Sequence, residues 1–103
     1  MNEDRELTRY MVEFRMPDHL TKEMLAIIPE QREVIMQILF SGKILSYTLS
    51  KNRRRLWIVF SCSSEPELIK LIEKLPMTSF FDYNYYELMF LETVSKYPSF
   101  SVN

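Results

Sequence analysis

Glu13 and Arg15 are the residues of this chain whose types and spacing are best suited to chemistry. They stand two apart in a stretch of alternating hydropathy, so both side chains would project from one face of a β-strand, roughly 6.5 Å apart. A carboxylate can remove a proton next to a carbonyl group, and a guanidinium can hold the enolate that forms. We therefore predict Glu13 and Arg15 as catalytic residues for a proton transfer next to a carbonyl group. A structural ion pair is the alternative.

Five further side chains are predicted to line a pocket on the same sheet face: Ser46, Trp57, Asp82, Asn84 and Tyr86. The alternatives are plain packing for Trp57 and Tyr86, and a strand-starting role for Asp82. His19 and Cys62 are the sole histidine and the sole cysteine, so the chain has neither an internal disulfide nor a Cys/His cluster for a metal. We expect no metal and no cofactor.

The composition is typical of one ordinary globular domain, with 103 residues, 47% hydrophobic and 26% charged. Its net charge of −1 argues against general nucleic-acid binding, which needs a positive field. No apolar run approaches the roughly 20 residues that cross a bilayer, and the N-terminus is too polar for a signal peptide. We therefore expect a cytoplasmic protein with no membrane partner.

The candidate residues need a sheet to hold them, and its centre is predicted at Arg55 to Cys62, where apolar residues occupy both strand faces. Alternation and helical periodicity predict the other elements in order: a strand over Tyr10–Met16, a helix over Thr21–Ser41 that restarts at Pro29, a strand over Ile44–Ser50, a capped helix from Ser64 to Pro76, and a strand over Phe80–Phe90. This βαββαβ order predicts an α+β, ferredoxin-like fold, with a four-stranded antiparallel sheet and both helices on one face.

The helices cover one face of that sheet only. The other face would carry the seven candidate residues together with Met11, Thr48, Arg55 and Val59. Such a face is too apolar for solvent, so we predict that a second copy of the chain covers it, in a homodimer or a larger oligomer. A wet dimer interface without a ligand is the alternative.

Several stretches resemble the muconolactone isomerase family of small ferredoxin-like proteins: the run Gly42 to Ser64, Leu75-Pro76 followed by Phe80-Phe81-Asp82, and the first strand ending in Arg15-Met16-Pro17. The likeness covers roughly Tyr10 to Phe90. It implies a dimeric α+β barrel, often assembled into rings, and an activity that moves a double bond in an unsaturated lactone. In this match Ser46 stands where the enzyme has a histidine.

Three functions follow, in order of preference. The first is a cofactor-free isomerase acting on a small lactone or aromatic-derived acid. The second is a non-catalytic small-molecule-binding or regulatory dimer of the same fold. The third is an RNA-binding module that uses the basic hairpin Lys51 to Arg55. The domain is assigned to residues 10–91, with an extension at residues 1–9 and a tail at residues 92–103.

Overall fold

The computed structural model describes residues 7–93, so most of the predicted extension and tail lies outside the described residues. The elements in order are β1 (Thr8–Arg15), α1 (Lys22–Ala26), α2 (Ile28–Phe40), β2 (Ile44–Leu49), β3 (Arg55–Cys62), α3 (Glu65–Lys74), a 3₁₀ turn (Thr78–Phe80) and β4 (Asp82–Glu87). The strands form an antiparallel sheet in the order β2-β3-β1-β4. The predicted α+β class and four-stranded antiparallel sheet are confirmed, and the arrangement is compatible with a ferredoxin-like fold.

The first helical region is divided where Pro29 predicts it. The Thr21 hydroxyl accepts a hydrogen bond from the Met24 N–H at 3.1 Å and starts α1, which ends at Ala26. A new helix then begins with Pro29 in its first turn, where a missing N–H costs nothing. Gly42 follows the end of α2 with a φ of 85°, the left-handed conformation that favours glycine.

The start of α3 is a modified capping box. The Ser64 hydroxyl accepts from the Glu67 N–H at 3.2 Å, as the spacing predicts. The Glu67 carboxylate does not return to the Ser64 N–H, however. It accepts from the N–H of Ser63, one residue earlier, at 2.7 Å. The preceding loop is therefore fixed to the helix together with the cap.

The core lies between the helices and one face of the sheet. Side chains from the two central strands, among them Val12, Phe14, Ile58 and Phe60, are fully or almost fully buried. They belong to one cluster with residues of all three α-helices, for example Leu68 of α3. The helices thus share a single face, and the opposite face of the sheet has no described helix packed over it.

A β-bulge in β2 corrects the predicted facing of its first residues. Ile44 pairs with Phe60 and Ser46 pairs with Val59, which leaves Leu45 as the extra residue. Unbroken alternation with Ser46 on the open face predicts Leu45 under the helices together with Tyr47 and Leu49, but Ile44 lies there, at 3% exposure against 40% for Leu45. Beyond the bulge the alternation agrees with the prediction.

Strand β4 is shorter than the predicted Phe80–Phe90 at both ends. Phe80 belongs to the 3₁₀ turn, and the strand ends at Glu87. Just after β4, the Leu88 N–H donates a hydrogen bond to the carbonyl of Arg9, which lies close to the point where β1 begins. Because β1 begins at Thr8, little of it remains for the chain after Leu88 to pair with, and Phe90 lies outside the sheet and is exposed.

Candidate functional site

The sheet face opposite the helices, called the open face below, carries the predicted site residues in ordered rows. Cross-strand partners share a face, so the pairing of the strands defines each row. One row holds Ser46, Val59, Met11 and Tyr86, the next holds Thr48, Trp57, Glu13 and Asn84, and the last holds Arg55, Arg15 and Asp82. The structure therefore brings all seven candidate residues onto one face. From the first to the last of these three rows the face changes from apolar to charged, and the Arg9–Ser61 pair continues it beyond the first row.

The carboxylate of Glu13 is bound to an arginine other than the one expected. Its Oε2 lies 3.2 Å from the Nε of Arg55 on the neighbouring strand β3, whereas Arg15 donates from Nη1 to the Asn84 Oδ1 at 2.6 Å. The ion pair that we considered between Glu13 and Arg15 is thus replaced by two separate contacts. Each contact joins β1 to one of its two neighbouring strands.

These contacts determine what the open face can do chemically. The ion pair with Arg55 engages one carboxylate oxygen of Glu13, Oε2, so a proton transfer by Glu13 would have to use the other oxygen or open the pair. Arg15 is held by Asn84 through one N–H group, and a guanidinium has five. Among residues 7–93 its other donors have no partner, so Arg15 is the group best placed to hold an anion.

The apolar part of the open face is only partly covered. Val59 is buried, and Trp57 and Met11 are half-buried. Tyr86 on the edge strand is exposed. A contiguous group of large apolar side chains on a sheet face is typical of a surface that meets another molecule.

One concave region of the structure was not predicted. It is a groove of about 460 Å³ between α2 and β2, on the helix side of the sheet. Its apolar walls include Ile35, Met36 and Leu39 of α2, and Tyr47 and Leu49 of β2. The sequence signal for it is the alternation of the large side chains Tyr47 and Leu49 on β2. The structure adds that β2 is an edge strand and that α2 covers it incompletely. We call this region the α2/β2 groove.

Neither metal binding nor membrane crossing has a visible basis in the part of the chain that the structure describes. Within residues 7–93, no group of three His, Cys, Asp or Glu side chains is placed to hold a metal ion. No helix in the same range has the length and apolar character to cross a membrane. Cys62 is a free, buried thiol in β3, and burial raises its pKa.

No protein-family model matches the chain, and no curated protein matches it significantly. The likeness to muconolactone isomerase therefore stays a prediction, based on the order and spacing of the elements.

Proposed function

We propose that this protein is a ferredoxin-like homodimer that binds a small organic acid on the open face. The observation that carries the proposal is the order of rows on that face, with Met11, Val59 and Tyr86 in one row and Arg15 and Arg55 two rows further along. Two such faces packed together would form a dimeric α+β barrel. A cavity between them would have apolar walls and a few charged groups, which is the usual composition of a small-molecule site.

The proposed dimer has a physical cause. Trp57 and Tyr86 are large side chains that the described chain leaves partly or mostly accessible to water. Burying apolar surface is worth about 25 cal/mol per Å², and a two-fold contact would bury the same patch on both copies. The ring-like assemblies that the family resemblance implies would be built from this dimer.

The proposed ligand is a carboxylic acid attached to a small aromatic or lactone ring. Arginine holds a carboxylate through two parallel N–H groups, and Asn84 fixes the orientation of the Arg15 guanidinium. Trp57 and Tyr86 lie at the neighbouring positions where an apolar ring would rest. Ser46 contributes a hydroxyl in the same row as Tyr86.

A cofactor-free isomerase is the second candidate, favoured by the shared face of Glu13 and Arg15 and by the family resemblance. Glu13 would take a proton from the ligand ring while Arg15 holds its carboxylate. We rank binding above isomerisation because the carboxylate of Glu13 is paired with Arg55. The cytoplasm is the compartment we propose for either function.

The dimer is tested by light scattering at micromolar concentration, with one variant on the open face and one control. Tyr86→Glu places a charge on the open face, whereas Phe40→Glu places it at the end of α2, on a residue that is 80% exposed against 55% for Tyr86. We expect dimers or larger species for the wild type and for Phe40→Glu, and monomers for Tyr86→Glu. A wild-type monomer would refute the assembly.

Ligand binding is tested by titrating muconolactone and benzoate while recording the fluorescence of Trp57, the sole tryptophan. Arg15→Ala should remove most of the affinity, and Arg15→Lys should restore only part, because lysine keeps the charge without the planar fork. Glu13→Gln should leave binding intact and abolish any isomerisation of muconolactone. Unchanged fluorescence with both acids in the wild type would exclude this site.

A further inference from the structure

The α2/β2 groove lies on the opposite side of the sheet from the open face. Leu56 lines the groove, and its neighbour Trp57 projects from the other side of β3. The volume of about 460 Å³ falls within the range of roughly 300–1,000 Å³ that small-molecule sites occupy. Its occupant is therefore independent of the ligand proposed above.

The groove carries positive charge and no negative charge. Arg32 and Arg53 are the charged residues among those that line it, and no aspartate or glutamate is among them. Within residues 7–93 neither arginine has a salt bridge, although Arg54 pairs with Asp18 and Arg55 pairs with Glu13. Two unneutralised guanidinium groups beside apolar walls favour an anion with an apolar body.

Gln31 adds a buried donor to the same groove. It is 5% exposed, and its Oε1 accepts a hydrogen bond from the Met77 N–H at 3.0 Å. That bond fixes the orientation of the amide, because only the oxygen can accept from an N–H. The Nε2 group has no partner among the described residues, and a buried amide donor without a partner is costly. A ligand oxygen in the groove would satisfy it.

Arg53 reaches the groove from a backbone conformation that arginine rarely adopts. Its φ is 63°, which favours glycine or asparagine. The turn holds it there, because the Arg53 N–H donates to the Ser50 carbonyl at 2.9 Å and the Arg54 N–H donates to the Asn52 Oδ1 at 3.0 Å. An arginine kept in a conformation better suited to a smaller residue is a sign of function.

The positive charge of Arg32 also acts on Tyr47, which belongs to the β2 wall of the groove. Burial raises the pKa of the Tyr47 phenol, and the cation of Arg32 acts on it in the opposite direction. The cation of Arg32 on α2 therefore acts on the Tyr47 phenol on β2, across the groove.

We propose that the α2/β2 groove binds an amphiphilic carboxylate, with its apolar chain along Met36 and Leu49 and its carboxylate at Arg32 and Arg53. The amide of Gln31 donates to one carboxylate oxygen. Binding depends on both parts of the ligand, because the walls are apolar and the two arginines supply the charge.

The test compares three probes, octanoate, 1-octanol and acetate, by following protein amide shifts in NMR titrations. Octanoate should shift signals of α2 and β2, 1-octanol should bind about tenfold more weakly, and acetate should not bind measurably. The double variant Arg32→Ala/Arg53→Ala should reduce octanoate affinity to the level of 1-octanol. Arg54→Ala is the matched control from the same turn and should keep wild-type affinity.

Four outcomes would overturn the proposal. The first two concern affinity: octanoate and 1-octanol bind equally well, or Arg54→Ala loses as much octanoate affinity as the double variant. The other two concern the amide signals: octanoate shifts only signals of the open face, or signals of groove residues shift with protein concentration when no ligand is present. The last would show that the groove is a contact between copies of the chain. A failed octanoate titration would leave the Arg15 site untouched, because Trp57 reports on that site separately.

Discussion

Replacing Glu67 with glutamine should weaken the fold in a way that depends on pH. The Oε2 of Glu67 accepts from the Lys43 Nζ at 2.5 Å, and its Oε1 accepts from the N–H and the hydroxyl of Ser63 at 2.7 and 3.0 Å. The hydrogen bond from Lys43 and that from the Ser63 N–H lower the pKa of Glu67 from 4.5 to about 2. The carboxylate thus joins the start of α3 to the residue that precedes β2.

The magnitude follows from that pKa shift after allowance for solvent. At about 1.4 kcal/mol for each pKa unit, the full shift would correspond to about 3 kcal/mol. The side chains of Lys43 and Glu67 are 46% and 26% exposed, however, so water screens much of the interaction. We expect Glu67→Gln to reduce the free energy of unfolding by about 1 kcal/mol at pH 7, which is the upper range for exposed pairs.

The sign of the pH dependence follows from the direction of the shift. The folded pKa lies below the unfolded value, so the contribution of Glu67 is complete above pH 4.5 and is lost as the pH falls towards 2. The difference between Glu67→Gln and wild type should therefore be constant between pH 7 and pH 5.5 and fall to a small fraction of that value at pH 2.

Urea unfolding at several pH values, recorded by circular dichroism at one fixed protein concentration, measures this difference. Glu73→Gln is the matched control, since it removes an exposed carboxylate from the same helix. A Glu67→Gln effect that is equally large at pH 2 and pH 7 would refute the reasoning. Equal losses for Glu67→Gln and Glu73→Gln would refute it too.

Three further predictions concern the core and the basic turn. Ile58→Ala should lower the free energy of unfolding by about 2–5 kcal/mol in the same assay, because it leaves a cavity in the fully buried core; wild-type stability would contradict the assigned faces. Arg53→Gly should raise thermal stability by about 1 kcal/mol while it weakens octanoate binding, since glycine accepts the left-handed backbone; a lower melting temperature would contradict this. A short single-stranded RNA should bind weakly in fluorescence anisotropy, and strong binding that Arg53→Ala/Arg54→Ala abolishes would favour the RNA-binding alternative.

The local sequence pattern correctly predicted those helix and strand limits that are set by residues at the limit itself. The bounds of β3 agree with the prediction, and the helix break at Pro29 and the cap at Ser64 are present because proline and serine act on their nearest backbone groups. The bulge was not predictable in this way. Ile44 and Leu45 are both apolar, so either could face the core, and only the register with β3 selects Ile44.

The same distinction applies to the candidate site. A period of two is enough to place Glu13 and Arg15 on one face, and that placement is observed. The partner of Glu13 depends on the register between β1 and β3, which hydropathy does not specify residue by residue. The α2/β2 groove depends on how far α2 extends over the edge strand, and this is a property of tertiary packing.

Three consecutive arginines show how a sequence cluster can be divided by the fold. Arg53 lines the α2/β2 groove, Arg54 pairs with Asp18, and Arg55 pairs with Glu13 on the open face. The tight turn and the alternation of the strand that follows direct the three side chains to different neighbours. Two of the three charges are therefore matched by carboxylates, which weakens the positive field that an RNA backbone would need. The remaining charge, on Arg53, lies beside apolar walls, where it is better suited to the head of a small amphiphilic anion than to a chain of phosphates.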